Sequence, residues 1–117
     1  MTPLTPARLA AVYECLRAFP PFSGWNLPHS SQVKFTLSKR KDAQAEYTPG
    51  QPHWIMVSMP FHHHYSTLHA TMAHEMLHLY QDIHKRANRA QHNADFRLKA
   101  AAICRRYGWD VGQFIGG

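Results

Sequence analysis

Apolar residues recur along this chain at helical spacing near both ends and in alternation between them, with Pro, Gly and polar clusters marking the changes. Thr5-Pro6 reads as a helix N-cap followed by proline at the first helical position, where no N–H is needed. Leu9, Val12, Leu16 and Phe19 follow at three- to four-residue intervals, and Pro20-Pro21 stops that helix. Residues 22–31, rich in Pro, Ser and Gly, read as a loop. Val33-Lys34-Phe35-Thr36-Leu37 alternates with period two and predicts a strand. Residues 43–47 are expected to return as its partner across a basic turn at 38–42. Residues 48–52 carry Pro-Gly and a second proline, a turn; residues 54–59 form the best strand, ended by Pro60.

Beyond Pro60, Ser66 or Thr67 can cap a helix running to about residue 85. Leu68, Met72, Met76, Leu79 and Ile83 form its stripe, with Ala73, Leu77 and Tyr80 beside it, so it is expected to be central and largely buried. Residues 88–93 are polar connector. Asn93 can cap a last helix in which Phe96, Ala100, Ile103 and Tyr107 share a face. Arg105 and Arg106 fall in its final turn, and Gly108 sits where a C-cap glycine belongs. The order predicts an α+β fold: N-terminal helix, short three-stranded sheet, two helices. At 117 residues the chain fits one domain, 1–117.

Composition narrows the class further. A hydrophobic content of 44% excludes a disordered tail. Cys15 and Cys104 make no Cys-x-x-Cys pair, which excludes a zinc ribbon or a redox motif; two buried free thiols in a reducing compartment are expected. No stretch reads as a membrane span or a leader, so the expectation is a cytoplasmic protein without a membrane partner. Thirteen Lys and Arg against seven Asp and Glu give +6, which suits an anionic partner such as DNA. Lys39-Arg40-Lys41, and Lys85-Arg86 with Arg89, are the clusters that would meet phosphates; as plain structure they are a solvated turn and a loop.

The chemistry concentrates at His74-Glu75-Met76-Leu77-His78. Histidines four apart project from one helix face toward a common point, which is the first requirement of a tetrahedral zinc site. The glutamate beside the first histidine can reach a zinc-activated water without taking a ligand position, and so serve as general base. At one hundred degrees per residue, Thr71, His74, Glu75, His78 and Asp82 gather on one arc, away from the apolar stripe. A coincidental surface pair would have no reason to collect two acids on the same arc.

A third ligand is needed. The chain has only Glu14, Glu46 and Glu75, so no downstream glutamate can serve. His84 stands six residues after His78, but Gln81 favours a continuing helix, which would turn His84 about 120° away. His92, fourteen residues after His78 and at the start of the last helix, is better placed. Asp95 is the fallback ligand or a partner that holds one. His62-His63-His64-Tyr65 could add a second metal or an oxyanion donor, but reads more simply as a polar loop; Tyr80 lies on the buried arc. The strand at 54–59, were it an edge, could align an extended substrate.

Ala73-His74-Glu75-Met76-Leu77-His78, followed by His92-Asn93-Ala94-Asp95-Phe96, resembles the SprT-like metallopeptidases, which include the Spartan proteases. In that family a third histidine follows in a His-Gly-x-x-Phe sequence, and the related WLM proteases carry His-Asn-x-x-Phe, closer to His92-Asn93 and Phe96. Ala43, Ala45 and Tyr47, and the strand around Ile55, are similar to the strands that precede the family's catalytic helix. The resemblance spans residues 33–109. It implies a zincin-like domain, zinc held by His74, His78 and His92, Glu75 as general base, and hydrolysis of peptide bonds in proteins associated with DNA. The chain departs from many members in having no cysteine cluster for a C-terminal zinc ribbon. The rival reading is a non-catalytic, zinc-containing nucleic-acid-binding module, and Glu75 separates the two, because a purely structural site needs no base beside its ligands.

Overall fold

The computed structural model describes residues 4–59 and 65–116, arranged as an α+β fold of four helices and one three-stranded sheet. Helix α1, Pro6–Arg17, opens where expected: the Thr5 hydroxyl accepts from the Arg8 N–H at 3.2 Å. It closes earlier than the apolar spacing suggests. Ala18 is the C-cap, so Phe19 leaves the helical face and is 55% exposed. Leu9, Val12, Tyr13 and Leu16 are the residues buried. Cys15 lies between the turns of that stripe and is exposed, against the expectation of two buried thiols; Cys104 is buried.

Strands β1 (Val33–Ser38), β2 (Ala45–Thr48) and β3 (His53–Ser58) lie within a residue or two of the predicted segments, but their pairing differs. The sheet order is β1-β3-β2. β2 does not return along β1; it pairs antiparallel with β3, while β1 pairs parallel with β3, Phe35 opposite Ile55. The central place falls to the strand with the most buried residues: Ile55, Val57 and Ser58 are all shielded. β2, with its exposed Glu46 and Thr48, suits an edge. The 54–59 segment is therefore not an edge and cannot accept an added strand.

Helix α2, Tyr65–Ile83, starts before Ser66 and Thr67, so both stand inside its first turn and neither caps it. The His62-His63-His64 tract and the Tyr65 side chain lie outside the described residues. α2 packs against α1, helix α3 (Ala94–Tyr107), helix α4 (Val111–Gly116) and β2. Leu68, Met72, Met76, Leu77 and Leu79 are almost wholly buried and join the core with α1, β1 and β3. Each such side chain contributes about 1.5–3 kcal/mol relative to exposure, which makes α2 the organising element. It ends in a left-handed turn: Lys85 has φ 57°, with Arg86 N–H on the Gln81 carbonyl at 2.7 Å. α3 is capped as read, the Asn93 side chain accepting from Phe96 N–H at 2.9 Å and Gly108 closing the helix at φ 75°. α4 has no counterpart in the apolar pattern. Among the described residues no helix is long and apolar enough to cross a membrane.

Candidate metal centre

His74 and Glu75 are buried on the inward side of α2, and His78 is half-buried one turn on. The His74 and His78 Nε2 atoms converge to 3.2 Å. Two nitrogens bound to one tetrahedral ion at 2.0–2.1 Å stand about 3.3 Å apart, so the pair already has the separation that a shared metal demands. His92 enters from the residue before the Asn93 cap. Nitrogen atoms of His74, His78 and His92 all lie within 4.8 Å of one another, a group that could hold a metal ion. The donor chemistry fits, because desolvation holds His74 and His78 down to about 4 and lowers His92 too. Neutral imidazoles offer lone pairs at physiological pH.

Each ring is held. His74 Nδ1 lies 2.8 Å from the Phe114 carbonyl of α4, so Nδ1 donates and Nε2 keeps its lone pair. Phe96, fully buried, packs its ring at 4.6–5.2 Å centroid distance against all three histidines. His92 is fixed through its neighbour. Asn93 donates to the Arg86 carbonyl at 3.0 Å, and its side-chain oxygen accepts from buried Gln81 at 2.9 Å. Gln81 also reaches Asp95 at 3.3 Å. Gln81 was legible only as a residue that keeps the helix going. Its hidden signal is position, seven residues after His74 and so on the same arc.

The other candidates lie elsewhere. His84 Nε2 lies 2.7 Å from the Trp25 carbonyl, off the metal arc as the continuous helix requires. Asp95 is taken up by Lys99 at 2.9 Å and by Gln81, and it is not part of the histidine group. Tyr80 is core, tilted against Trp25. Asp82, on the reactive arc, accepts from the Tyr47 hydroxyl at 2.7 Å, with His53 at 3.8 Å, and so ties β2 to α2. The Tyr47 phenol is accordingly pushed up, by burial first and then by that hydrogen bond.

Glu75 sits where two cavities meet, of about 660 and 570 Å³. The first is walled by Thr71, Trp109 and Gln113; the second by Ala45, Tyr47 and His92. Burial pushes the Glu75 carboxyl up to about 8, the Glu46 charge adds to this, and a hydrogen bond from the Tyr47 backbone opposes it. The arrangement is a groove with a carboxyl group at its midpoint, beside a three-histidine cluster and along the β2 edge. No curated protein and no solved structure matches the chain. A family model does, over residues 13–111, which takes in the sheet, the histidine cluster and nearly all of the fold: the chain belongs to the SprT-like family.

Proposed function

We propose that this protein is a zinc-dependent metallopeptidase in which His74, His78 and His92 hold the metal and Glu75 is the general base. The observation that carries the reading is the placing of a buried carboxyl, Glu75, beside the three-histidine cluster at the junction of the two cavities. Zinc held there supplies Lewis acidity, acidifying water, polarising a carbonyl and drawing Glu75 toward its ionised form by its charge. Ionised Glu75 takes a proton from the attacking water and returns it to the departing amine. The edge of β2 runs along the groove, and an extended peptide can add to it through backbone hydrogen bonds, displacing the one that the Tyr47 backbone gives to Glu75. Tyr47, clasped to Asp82, holds that edge at a fixed distance from α2.

DNA-associated protein as substrate, and a cytoplasmic setting that keeps Cys15 and Cys104 reduced, are further parts of the reading. Among the described residues, Arg97, Arg105 and Arg106 are exposed and have no acidic partner. Arg97 and Arg105 share one i,i+4 row of α3 with Ala101 between them, a low surface that phosphates can approach. The 39–41 cluster contributes less, since Arg40 is engaged by Asp42 at 3.0 Å and Glu46 at 3.2 Å.

The test is Glu75→Gln, which keeps size and removes the base. Zinc should stay bound while cleavage of casein and of a DNA-bound protein falls about a hundred- to ten-thousand-fold. His92→Ala should lose zinc after dialysis against a weak chelator, and His84→Ala should not. Undiminished cleavage by Glu75→Gln would reject the mechanism. Absence of cleavage by wild type, with and without DNA, would favour a non-catalytic zinc-containing nucleic-acid-binding module.

A further inference from the structure

Helix α4 is short, carries glycine at positions 112 and 116, and contributes one wholly inward residue, Phe114. Isolated, six residues would not hold a helix. Two hydrogen bonds and two ring contacts hold this one. The Asp110 carboxylate accepts from Gln113 N–H at 2.9 Å, and the Asp110 carbonyl accepts from Phe114 N–H at 2.9 Å. The Phe114 ring lies between the Trp109 ring at 6.2 Å and the His74 ring at 5.5 Å. That packing delivers the Phe114 carbonyl to His74 Nδ1 at 2.8 Å.

We propose that α4 is a positioning element of the metal centre: docking of Phe114 fixes the His74 proton on Nδ1, which leaves Nε2 as the ligand atom. A neutral imidazole has one N–H and must place it on one nitrogen. His74 is buried, so an Nδ1–H without its carbonyl would be an unsatisfied donor, and the competing tautomer would put the proton on the ligating nitrogen. Metal binding and α4 docking are therefore linked, and linkage is reciprocal: releasing α4 weakens the metal, and removing the metal loosens α4. The inference rests on the metallopeptidase reading only for the three-histidine site. Proteolysis does not enter it.

The test is a zinc titration of the full chain in competition with a chromophoric chelator, for wild type, Phe114→Ala, Asp110→Ala and Asp110→Asn. Phe114→Ala removes the ring that seats the helix, and zinc affinity should fall about 10- to 100-fold, the usual weight of a group that orients a histidine ligand. Asp110→Ala removes only the cap and should weaken zinc less; Asp110→Asn, an equally good cap, should restore it. A merely structural role for Phe114 is separated by ¹⁵N NMR of the metal-free histidine rings. His74 should be the Nδ1–H tautomer in wild type and a mixture in Phe114→Ala. If Phe114→Ala does not fold, the Asp110 pair and the wild-type tautomer decide. Unchanged affinity in every folded variant, or an Nε2–H tautomer in wild type, overturns the inference while leaving the peptidase reading standing. Weakened zinc in the variants together with a wild type that cleaves nothing keeps the inference and rejects the peptidase. A wild type that binds no zinc overturns both.

Discussion

Replacing Gln81 with leucine isolates the contact that brings His92 to the other two histidines. The Gln81 amide donates to Asn93 at 2.9 Å and to Asp95 at 3.3 Å, and the residue is 1% exposed. Leucine keeps the bulk, so the packing change is small. The first bond is neutral and contributes about 1 kcal/mol; the second is charge-assisted but long, and falls at the low end of about 1.5–3 kcal/mol. Asn93 is not orphaned, because its oxygen still accepts from Phe96 N–H at 2.9 Å. The expected loss is therefore about 2.5 kcal/mol of stability without metal. With the connector freed, His92 samples more positions, and zinc affinity should fall a further tenfold or more, about 1.4 kcal/mol. Urea denaturation in chelator reads the first quantity, and the added stabilisation at a fixed excess of zinc reads the second. Gln81→Glu should be worse than leucine at neutral pH, since it sets a carboxylate against Asp95 and the Asn93 oxygen. A Gln81→Leu protein within about 0.5 kcal/mol of wild type in chelator would refute the role given to this contact.

Glu14 accepts from Arg17 at 2.8 Å and from Ser30 N–H at 2.8 Å; burial pushes its carboxyl up, but these bonds outweigh burial and hold it below 4.5. Its contribution is thus full above that value and is lost as pH falls through the depressed one, so Glu14→Gln should lose about 1 kcal/mol at pH 7 and flatten the acid limb of a stability–pH curve. An unchanged acid limb would refute it. Lys85 closes α2 at φ 57°, so Lys85→Gly should raise stability by about 1 kcal/mol in the same denaturation assay. Charge reversal at Arg105 and Arg106, both exposed in the last turn of α3, should weaken binding to shuffled DNA oligonucleotides and shallow its salt dependence, leaving zinc content unchanged. Equal binding by wild type and variant at low salt would remove α3 from the DNA reading.

What could be read from the sequence was what helical geometry enforces locally. His74, Glu75 and His78 share a face whatever the rest of the chain does, and Thr5, Asn93 and Gly108 cap helices through their nearest neighbours. The sheet order was not legible. Pairing β1 with β3 joins residues twenty apart in parallel, and alternation gives the face of a strand without its neighbour. Phe19 continues the helical spacing beyond the residue at which α1 ends, and Cys15 falls outside the buried face of α1, which the apolar character of a thiol does not reveal. α4 was hidden because six residues are too few to show a period, and its docking depends on a single side chain.

The polar arc of α2 explains why a site assembled from so many segments can be well defined. His74 reaches α4 through the Phe114 carbonyl, Gln81 reaches the connector before α3 through Asn93, and Asp82 reaches β2 through Tyr47. Each bond ties one distant segment to a helix that is itself fixed by its apolar stripe in the core. Packing sets where α2 lies, while hydrogen bonds set where the other segments lie relative to it. The two kinds of damage should then separate. Truncating Leu68 or Met76 opens a cavity of the sort that costs about 2–5 kcal/mol and weakens the whole fold. Losing one tie costs less globally but displaces a wall of the groove or a ligand, so its larger effect falls on metal affinity and on the geometry around Glu75.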